Sequence, residues 1–177
     1  MWDMDSGSCL YTLALDADSN PADPAAPDAG VTSVAISPDG RFLAASSLDT
    51  LVRVWDVETG RLLDTLRGHK DSVYSVAFEP KGNMLVSGSL DKTLMMWDMF
   101  ELRKAVDRRE GTEGKAACLT VLQGHKDYVL SVDTSPDGQW IVSGSKDRGI
   151  QFWDIKTAKA QFMLQGHKNS GKPLPRC

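Results

Sequence analysis

The chain has 177 residues, of which 41% are hydrophobic, so it can bury a core and wholesale disorder is not expected. Its 24 acidic side chains outnumber its 20 basic ones, which argues against direct nucleic-acid binding because a phosphate-binding domain usually carries a basic face. The sequence contains no apolar run near the roughly 18 residues that a membrane span needs. Its N-terminus lacks the pattern of a signal peptide.

The cysteines are odd in number and irregularly spaced, at Cys9, Cys118 and Cys177. They predict reduced thiols in the cytosol or nucleus, and neither a disulfide framework nor a zinc site. We therefore expect no metal and no cofactor.

In chain order, residues 1–15 contain a Trp-Asp pair, and residues 16–30 are rich in Pro, Ala and Asp, which predicts a mobile acidic loop. Three similar segments then follow, each alternating apolar and polar residues and ending in Pro-x-Gly, which predicts a strand and a hairpin turn. These segments are residues 31–40, 73–82 and 129–138.

Three more strands are predicted after each of these segments. The second strands are residues 42–47, 84–89 and 140–145, closed by turns with Asp49, Asp91 and Asp147. The third are residues 51–56, 93–98 and 149–154, and the fourth lie at about 61–66, 117–122 and 159–164. Four short strands form a small antiparallel sheet that cannot bury both faces alone, so the units must stack.

The sequence therefore predicts an all-β fold with three four-stranded blades. The blades are assigned to residues 31–66, 67–122 and 123–164, with residues 165–177 as the divergent start of a further unit. Because closed propellers have about four to eight blades, we expect a propeller fragment with two open, apolar interfaces.

Two dipeptides recur along the chain. Trp-Asp occurs four times, and Gly-His occurs three times and contains every histidine of the chain. The pattern Gly-His, Ser-x-Ser-x-Asp, Trp-Asp resembles the WD40 repeat, whose fold is a β-propeller. The resemblance covers residues 31–167, and residues 1–15 resemble the end of a preceding repeat.

This resemblance implies that four side chains in each complete unit form a hydrogen-bonded chain. The two sets are His69, Ser87, Asp91 and Trp97, and His125, Ser143, Asp147 and Trp153. Ser, His and Asp also make a catalytic triad, but a triad occurs once per active site and needs an oxyanion hole beside an exposed nucleophile. Because the set repeats, we interpret it as structural and expect no enzyme activity. Histidines in different blades are also too far apart to share a metal ion.

The first unit departs from the pattern. It keeps Asp49 and Trp55, but Ala45 stands where serine is expected, and Pro-Asp-Ala-Gly replaces the Gly-His segment. We predict that this blade lacks the hydrogen-bonded chain and is the loosest of the three.

The second unit is longer than the first. Trp55 and Trp97 are 42 residues apart and Trp97 and Trp153 are 56 apart, so about 14 residues are inserted within residues 99–117. We expect a short helix at residues 100–108, because these are good helix formers. The charged insertion could be a docking element or a solvated loop, and we favour the solvated loop.

Three segments are similar to the fungal Tup-type general transcriptional corepressors: residues 124–132, 144–154 and 163–170, together with a polar insertion before Gly124. The resemblance implies a nuclear platform on which DNA-bound repressors and histone tails dock. That family also has an N-terminal helical segment that binds a TPR-repeat partner, and this chain contains no such segment. We expect protein partners, with no direct contact to nucleic acid, membrane or a small-molecule substrate.

WD40 platforms commonly bind peptides on the face that carries the loops between strands. By motif position, the outward side chains there are Thr32, Leu48, Ser72, Tyr74, Leu90, Tyr128, Leu130 and Lys146. The two tyrosines are the best anchor candidates, because tyrosine supplies a large contact area at a small cost in entropy. Packing within the blade is the alternative for each.

Two other functions stay open. A WD40 substrate receptor of a ubiquitin-ligase complex would carry an adaptor segment such as an F-box and a phosphate-binding arginine cluster, whereas basic residues here lie mostly in the insertion. A hydrolase, or a WD40 domain fused to one, would need a nucleophile elbow, a P-loop or a metal signature, and the sequence contains none of these.

Overall fold

The computed structural model describes residues 2–9, 12–13, 30–112 and 114–166. The predicted acidic loop, apart from Gly30, and residues 167–177 lie outside these ranges. The described part contains twelve strands and one helix, with these bounds: β1 Val31–Ile36, β2 Phe42–Ser47, β3 Val52–Asp56, β4 Leu62–Leu66, β5 Val73–Phe78, β6 Met84–Ser89, β7 Thr93–Asp98, α1 Phe100–Asp107, β8 Ala117–Gln123, β9 Val129–Thr134, β10 Trp140–Ser145, β11 Gly149–Asp154 and β12 Lys159–Gln165.

The strands form three separate antiparallel sheets, β1–β4, β5–β8 and β9–β12, each with its strands in sequence order. This confirms the prediction of an all-β fold with three four-stranded blades. The second strands have the predicted bounds, and the predicted third strand of the first blade begins one residue later, at Val52.

The core lies between neighbouring blades. Val73 and Val76 of β5 share one buried hydrophobic cluster with Val52 and Val54 of the first blade. A second cluster repeats this arrangement, with Val129 and Val132 of β9 packed against Val86, Leu94 and Met96 of the second blade. Each sheet therefore buries its faces only against its neighbours, as the stacking argument requires.

The outer face of β1 in the first blade is covered by no other blade among the described residues. Val34 of β1 occupies the same repeat position as Val76 of β5, yet it is 54% exposed while Val76 is 2% exposed. Val31 and Ile36 are exposed in the same way. At the other end of the stack, Phe162 and Leu164 of β12 are also exposed. The expected open apolar interfaces are present in the described residues.

The segment at residues 2–9 forms the same turn that joins the third and fourth strands of a blade. Trp2 pairs with Cys9 in an antiparallel bridge, and the carboxylate of Asp3 accepts hydrogen bonds from the amide and hydroxyl of Ser6. Asp56 accepts the same pair of bonds from Thr59. The two turns therefore share the same local hydrogen bonds.

The insertion after β7 contains the expected helix, α1. Residues 108–111 are exposed, as expected for a solvated loop, but the helix itself is not solvated on all sides. Leu102 is fully buried in the cluster between the first two blades, and Ala105 is also buried. Arg103 forms an ion pair with Asp39 of the first blade and lies over the ring of Phe42. The sequence did not reveal this packing because the partners are more than sixty positions away along the chain.

Beyond the helix, the insertion returns to the first blade a second time. The buried carboxylate of Asp64 in β4 accepts hydrogen bonds from the amides of Gly114 and Ala116, both at 2.9 Å. The hydroxyl of Thr112 donates to the carbonyl of Leu63 at 2.7 Å. The insertion, residues 99–117, therefore extends from the second blade and packs across the first. We call this segment the strap.

Candidate functional site

In each blade, the turn between the second and third strands lies at one edge of the sheet. The loops that lead into β5 and β9 lie at the same edge, which we call the loop edge. In the second blade, strand register places the starts of β5 and β7 beside the ends of β6 and β8, with Val73 opposite Ser89 and Thr93 opposite Gln123. The third blade repeats this register. The loop edge consists of residues 48–50, 67–72, 90–92, 124–128 and 146–148.

In the second blade, the structure brings the predicted set together as one hydrogen-bonded chain, which we call a polar tetrad. The two ring nitrogens of His69 lie 2.8 Å from a carboxylate oxygen of Asp91 and 2.8 Å from the hydroxyl oxygen of Ser87. The indole nitrogen of Trp97 donates to the same hydroxyl at 2.8 Å. The tetrad ties the loop before β5 to the turn after β6 and to β7.

The third blade contains the same tetrad with nearly identical distances. His125 lies 2.9 Å from Asp147 and 2.7 Å from Ser143, and the indole of Trp153 donates to Ser143 at 2.9 Å. Both serines have no exposed surface. A substrate cannot reach such a hydroxyl, and two equal copies in two blades have the character of a structural device.

The aspartates of the tetrads are held in their charged form. Burial opposes ionisation of Asp91, but hydrogen bonds from His69, Thr93 and the amide of Lys70 outweigh it and keep the pKa of Asp91 well below its ordinary value. Asp147 has a lowered pKa for the same reasons, with the amide of Lys126 as the main stabilising donor. The carboxylates therefore serve as fixed acceptors that hold the loops.

The first blade lacks the tetrad, as Ala45 predicted. Asp49 is instead bound by Arg53 of β3, with 2.7 Å between guanidinium nitrogen and carboxylate oxygen, and both side chains are largely buried. Burial of Asp49 would raise its pKa, but Arg53, Ser47 and the amide of Leu51 lower it overall. Sequence reasoning missed this ion pair, although the spacing of four residues in a strand-turn segment was visible.

The eight side chains proposed for partner binding all lie at or beside the loop edge. Tyr74 is 37% exposed and Lys146 is exposed, whereas Tyr128, Leu48, Leu90 and Leu130 are half-buried. The ammonium group of Lys146 lies 4.9 Å from the ring centre of Tyr128. Tyr74 therefore offers the larger free aromatic surface, and Tyr128 contributes together with Lys146.

Thr32 and Ser72 differ from the expectation of outward-facing contacts. The hydroxyl of Thr32 donates to the carbonyl of Val73, and that of Ser72 donates to the carbonyl of Leu48 at 2.9 Å. Both bonds join the first blade to the second. Their hydroxyls are used in holding the blades together, because the inner strands of neighbouring blades approach closely.

The described residues contain no group of three or more His, Cys, Asp and Glu side chains arranged to hold a metal ion. His69 and His125 are each committed to their own blade, and His167 lies outside the described ranges. Among the residues described, no helix is long and apolar enough to cross a membrane. Sequence reasoning also missed a cleft of about 420 Å³ at the loop edge, lined by Lys70, Lys92, Thr93 and Gln123 among others.

The repeat geometry agrees with comparisons to known proteins. The family model "WD domain, G-beta repeat" matches residues 23–56, 60–98 and 116–154. The matched segments cover more than half of the chain, which therefore belongs to the WD40 repeat family.

Fungal repressors are among the relatives of this chain. The transcriptional repressor rco-1 of Neurospora crassa is 62% identical over 53 residues, covering 30% of this chain and 9% of that protein. The general transcriptional corepressor TUP1 of Saccharomyces cerevisiae is 53% identical over 103 residues, covering 58% of this chain and 14% of that protein. The chain thus matches a small part of each relative.

Solved structures show the same fold. A structure described as "Structure of U3-55K" has a TM-score of 0.70 and 22% sequence identity, covering 82% of this chain and 42% of that one. The chain is a WD40 scaffold with homology to Tup1-type transcriptional corepressors.

Proposed function

We propose that this chain is a non-enzymatic, protein-binding part of a nuclear transcriptional corepressor, recruited by DNA-bound repressors and in contact with chromatin proteins such as histone tails. The observation that carries the proposal is the high identity to fungal repressors of transcription, 53% over 103 residues for the yeast corepressor. The WD40 fold supports it, because such propellers present loops on a rigid scaffold, where binding residues are commonly found.

The loop edge is the proposed contact surface for the DNA-bound repressors. The tetrads hold the loops before β5 and β9 in one conformation. Binding a partner to the side chains beside these loops therefore costs little conformational entropy of the loops. Tyr74 is exposed there, and Tyr128 lies on the next blade with Lys146 over its ring. Aromatic side chains with little freedom are effective anchors for a bound segment.

The test is a tethering assay in fungal cells. The chain is fused to a sequence-specific DNA-binding domain, and transcription of a reporter with the matching operator is measured. Repression several-fold beyond that of the DNA-binding domain alone supports the proposal, and unchanged reporter output contradicts it. Localisation of the untethered chain to the nucleus is followed in the same cells.

The anchors are tested separately by affinity capture of repressor proteins. We expect Tyr74→Ala and Tyr128→Ala each to weaken capture by roughly five-fold or more, since aromatic anchors commonly contribute about 1 kcal/mol or more. Tyr74→Phe, which keeps the ring, is the matched control. Capture that is equal for the original protein and both alanine variants would remove the tyrosines from the interface.

A further inference from the structure

The topology gathers six basic side chains at the loop edge, although the sequence spreads them from residue 67 to residue 148. They are Arg67, Lys70, Lys92, Lys126, Lys146 and Arg148, and all six are exposed. Among the residues that the structure describes, none of them forms an ion pair; the ion pairs found involve other side chains.

The loop edge also carries carboxylates, and each of them already accepts hydrogen bonds or pairs with an arginine. Asp71 and Asp127 accept from the amides of the residues that follow them, at 2.7 Å and 2.8 Å. Asp91 accepts from His69, from the amide of Lys70 and from Thr93. Asp147 is bound in the same way in the third blade, and Asp49 is bound by Arg53. The bonds that shape the loops thus direct these carboxylates inward, and the ammonium and guanidinium groups remain facing solvent.

Two of the lysines share a cleft. Lys70 and Lys92 line the cavity of about 420 Å³, together with polar Thr93 and Gln123 and apolar Met95. Asp91 also lines it, with its carboxylate bound to His69 and Thr93. A carboxylate that enters this cleft meets two cations from two different loops. On the neighbouring blade, Lys146 stands over Tyr128 and combines a cation with an aromatic surface.

We propose that the polypeptide segment bound at the loop edge is acidic, with carboxylates placed between Lys70 and Lys92 and an apolar residue against the tyrosines. The proposal rests on the proposed function and specifies the chemistry of its partner. A nucleic acid fits less well, because Tyr128 is half-buried and the described loop edge therefore has no row of exposed aromatic rings on which successive bases could stack.

The test uses a short fluorescein-labelled peptide of Glu and Asp around a central Phe-Leu pair, and an analogue with Gln and Asn in place of the acids. Binding to the whole chain is followed by fluorescence anisotropy. We expect the acidic peptide to bind at least about ten-fold more tightly than the amide analogue at about 50 mM salt, with a much smaller difference at about 300 mM. Equal affinities for the two peptides overturn the proposal.

Variants locate the site. Lys70→Ala and Lys92→Ala should each weaken binding of the acidic peptide about two- to five-fold, the range for exposed ion pairs, and the double variant should weaken it further. Lys81→Ala and Lys156→Ala are the matched controls, since both lysines are exposed in turns at the opposite edge of the sheets. Equal losses in the controls would show attraction to overall charge and overturn the assignment.

Three further outcomes test this proposal, and the last two separate it from the proposed function. Tighter binding of a single-stranded oligonucleotide of equal charge overturns the acidic peptide as partner. If the amide analogue binds as well as the acidic peptide and both depend on Tyr74, the interaction surface stands and its acidic preference falls. If the acidic peptide binds through Lys70 and Lys92 while tethering gives no repression, the acidic preference stands and the corepressor assignment falls.

Discussion

Replacing Ser87 with alanine tests how much a polar tetrad stabilises its blade. The hydroxyl of Ser87 joins two buried groups, the indole of Trp97 and the imidazole of His69, each at 2.8 Å. Ala45 occupies the equivalent position in the first blade and is 3% exposed, so alanine fits this position without a clash. The substitution therefore removes hydrogen bonds and little else.

The expected cost follows from the two groups left behind. A buried donor or acceptor without a partner costs about 1–3 kcal/mol, and Trp97 and His69 are both buried. Allowing for some relaxation of the imidazole, Ser87→Ala should lower the free energy of unfolding by about 2–4 kcal/mol. Ser143→Ala in the third blade should cost a similar amount, because its distances are nearly the same.

Urea denaturation followed by tryptophan fluorescence measures this cost. The slope of the unfolding free energy against urea concentration should be the same for the variant and the original protein. Ser33→Ala is the matched control, because the hydroxyl of Ser33 in β1 forms no hydrogen bond within the described residues. This replacement should change the free energy of unfolding by less than about 0.5 kcal/mol. A cost for Ser87→Ala as small as that of the control would refute the view that the tetrads hold the blades.

Two further perturbations address the strap and the pH dependence. Leu102→Ala should lower the free energy of unfolding by about 2–5 kcal/mol, because Leu102 is fully buried between two blades. Lys104→Ala, on the exposed side of α1, is the control and should change the free energy of unfolding by less than about 0.5 kcal/mol. Equal urea midpoints for the two variants would show that the helix does not pack as described. The lowered pKa of Asp91 means that its folded-state value lies below the unfolded value near 4, so its contribution to stability is present above about pH 4 and is lost as pH falls through the folded pKa. The melting temperature of Asp91→Asn should therefore fall less between about pH 4 and pH 2 than that of the original protein, and parallel curves would contradict the linkage.

The order of strands within each blade was predictable from local patterns. Alternation of apolar and polar residues, Pro-x-Gly turns and the Trp-Asp pairs set each strand and hairpin, because strand pairing through short turns involves residues close in sequence. The tetrads were also predictable, since His69, Ser87 and Asp91 repeat at the spacing of His125, Ser143 and Asp147.

The packing of the strap and the ion pair between Asp49 and Arg53 were not predictable in the same way. The residues of α1 showed helix propensity and mixed charge, but whether Leu102 meets solvent or a core depends on Phe42 and Asp39, which lie on another blade. Likewise, Arg53 looked like an ordinary strand residue until Asp49 was placed beside it in the turn geometry.

The sequence by itself determined the blades, their turns and the buried tetrads, because those features rest on short-range periodicity and on a repeated pattern of polar side chains. Only the tertiary structure decided which face of each blade is covered, where the insertion packs and which cations share a surface. Those outcomes depend on contacts between blades, and a contact between residues such as Arg103 and Asp39 leaves no periodic signal in the chain. The loop edge became a coherent site only when stacking brought five separate loops to one side.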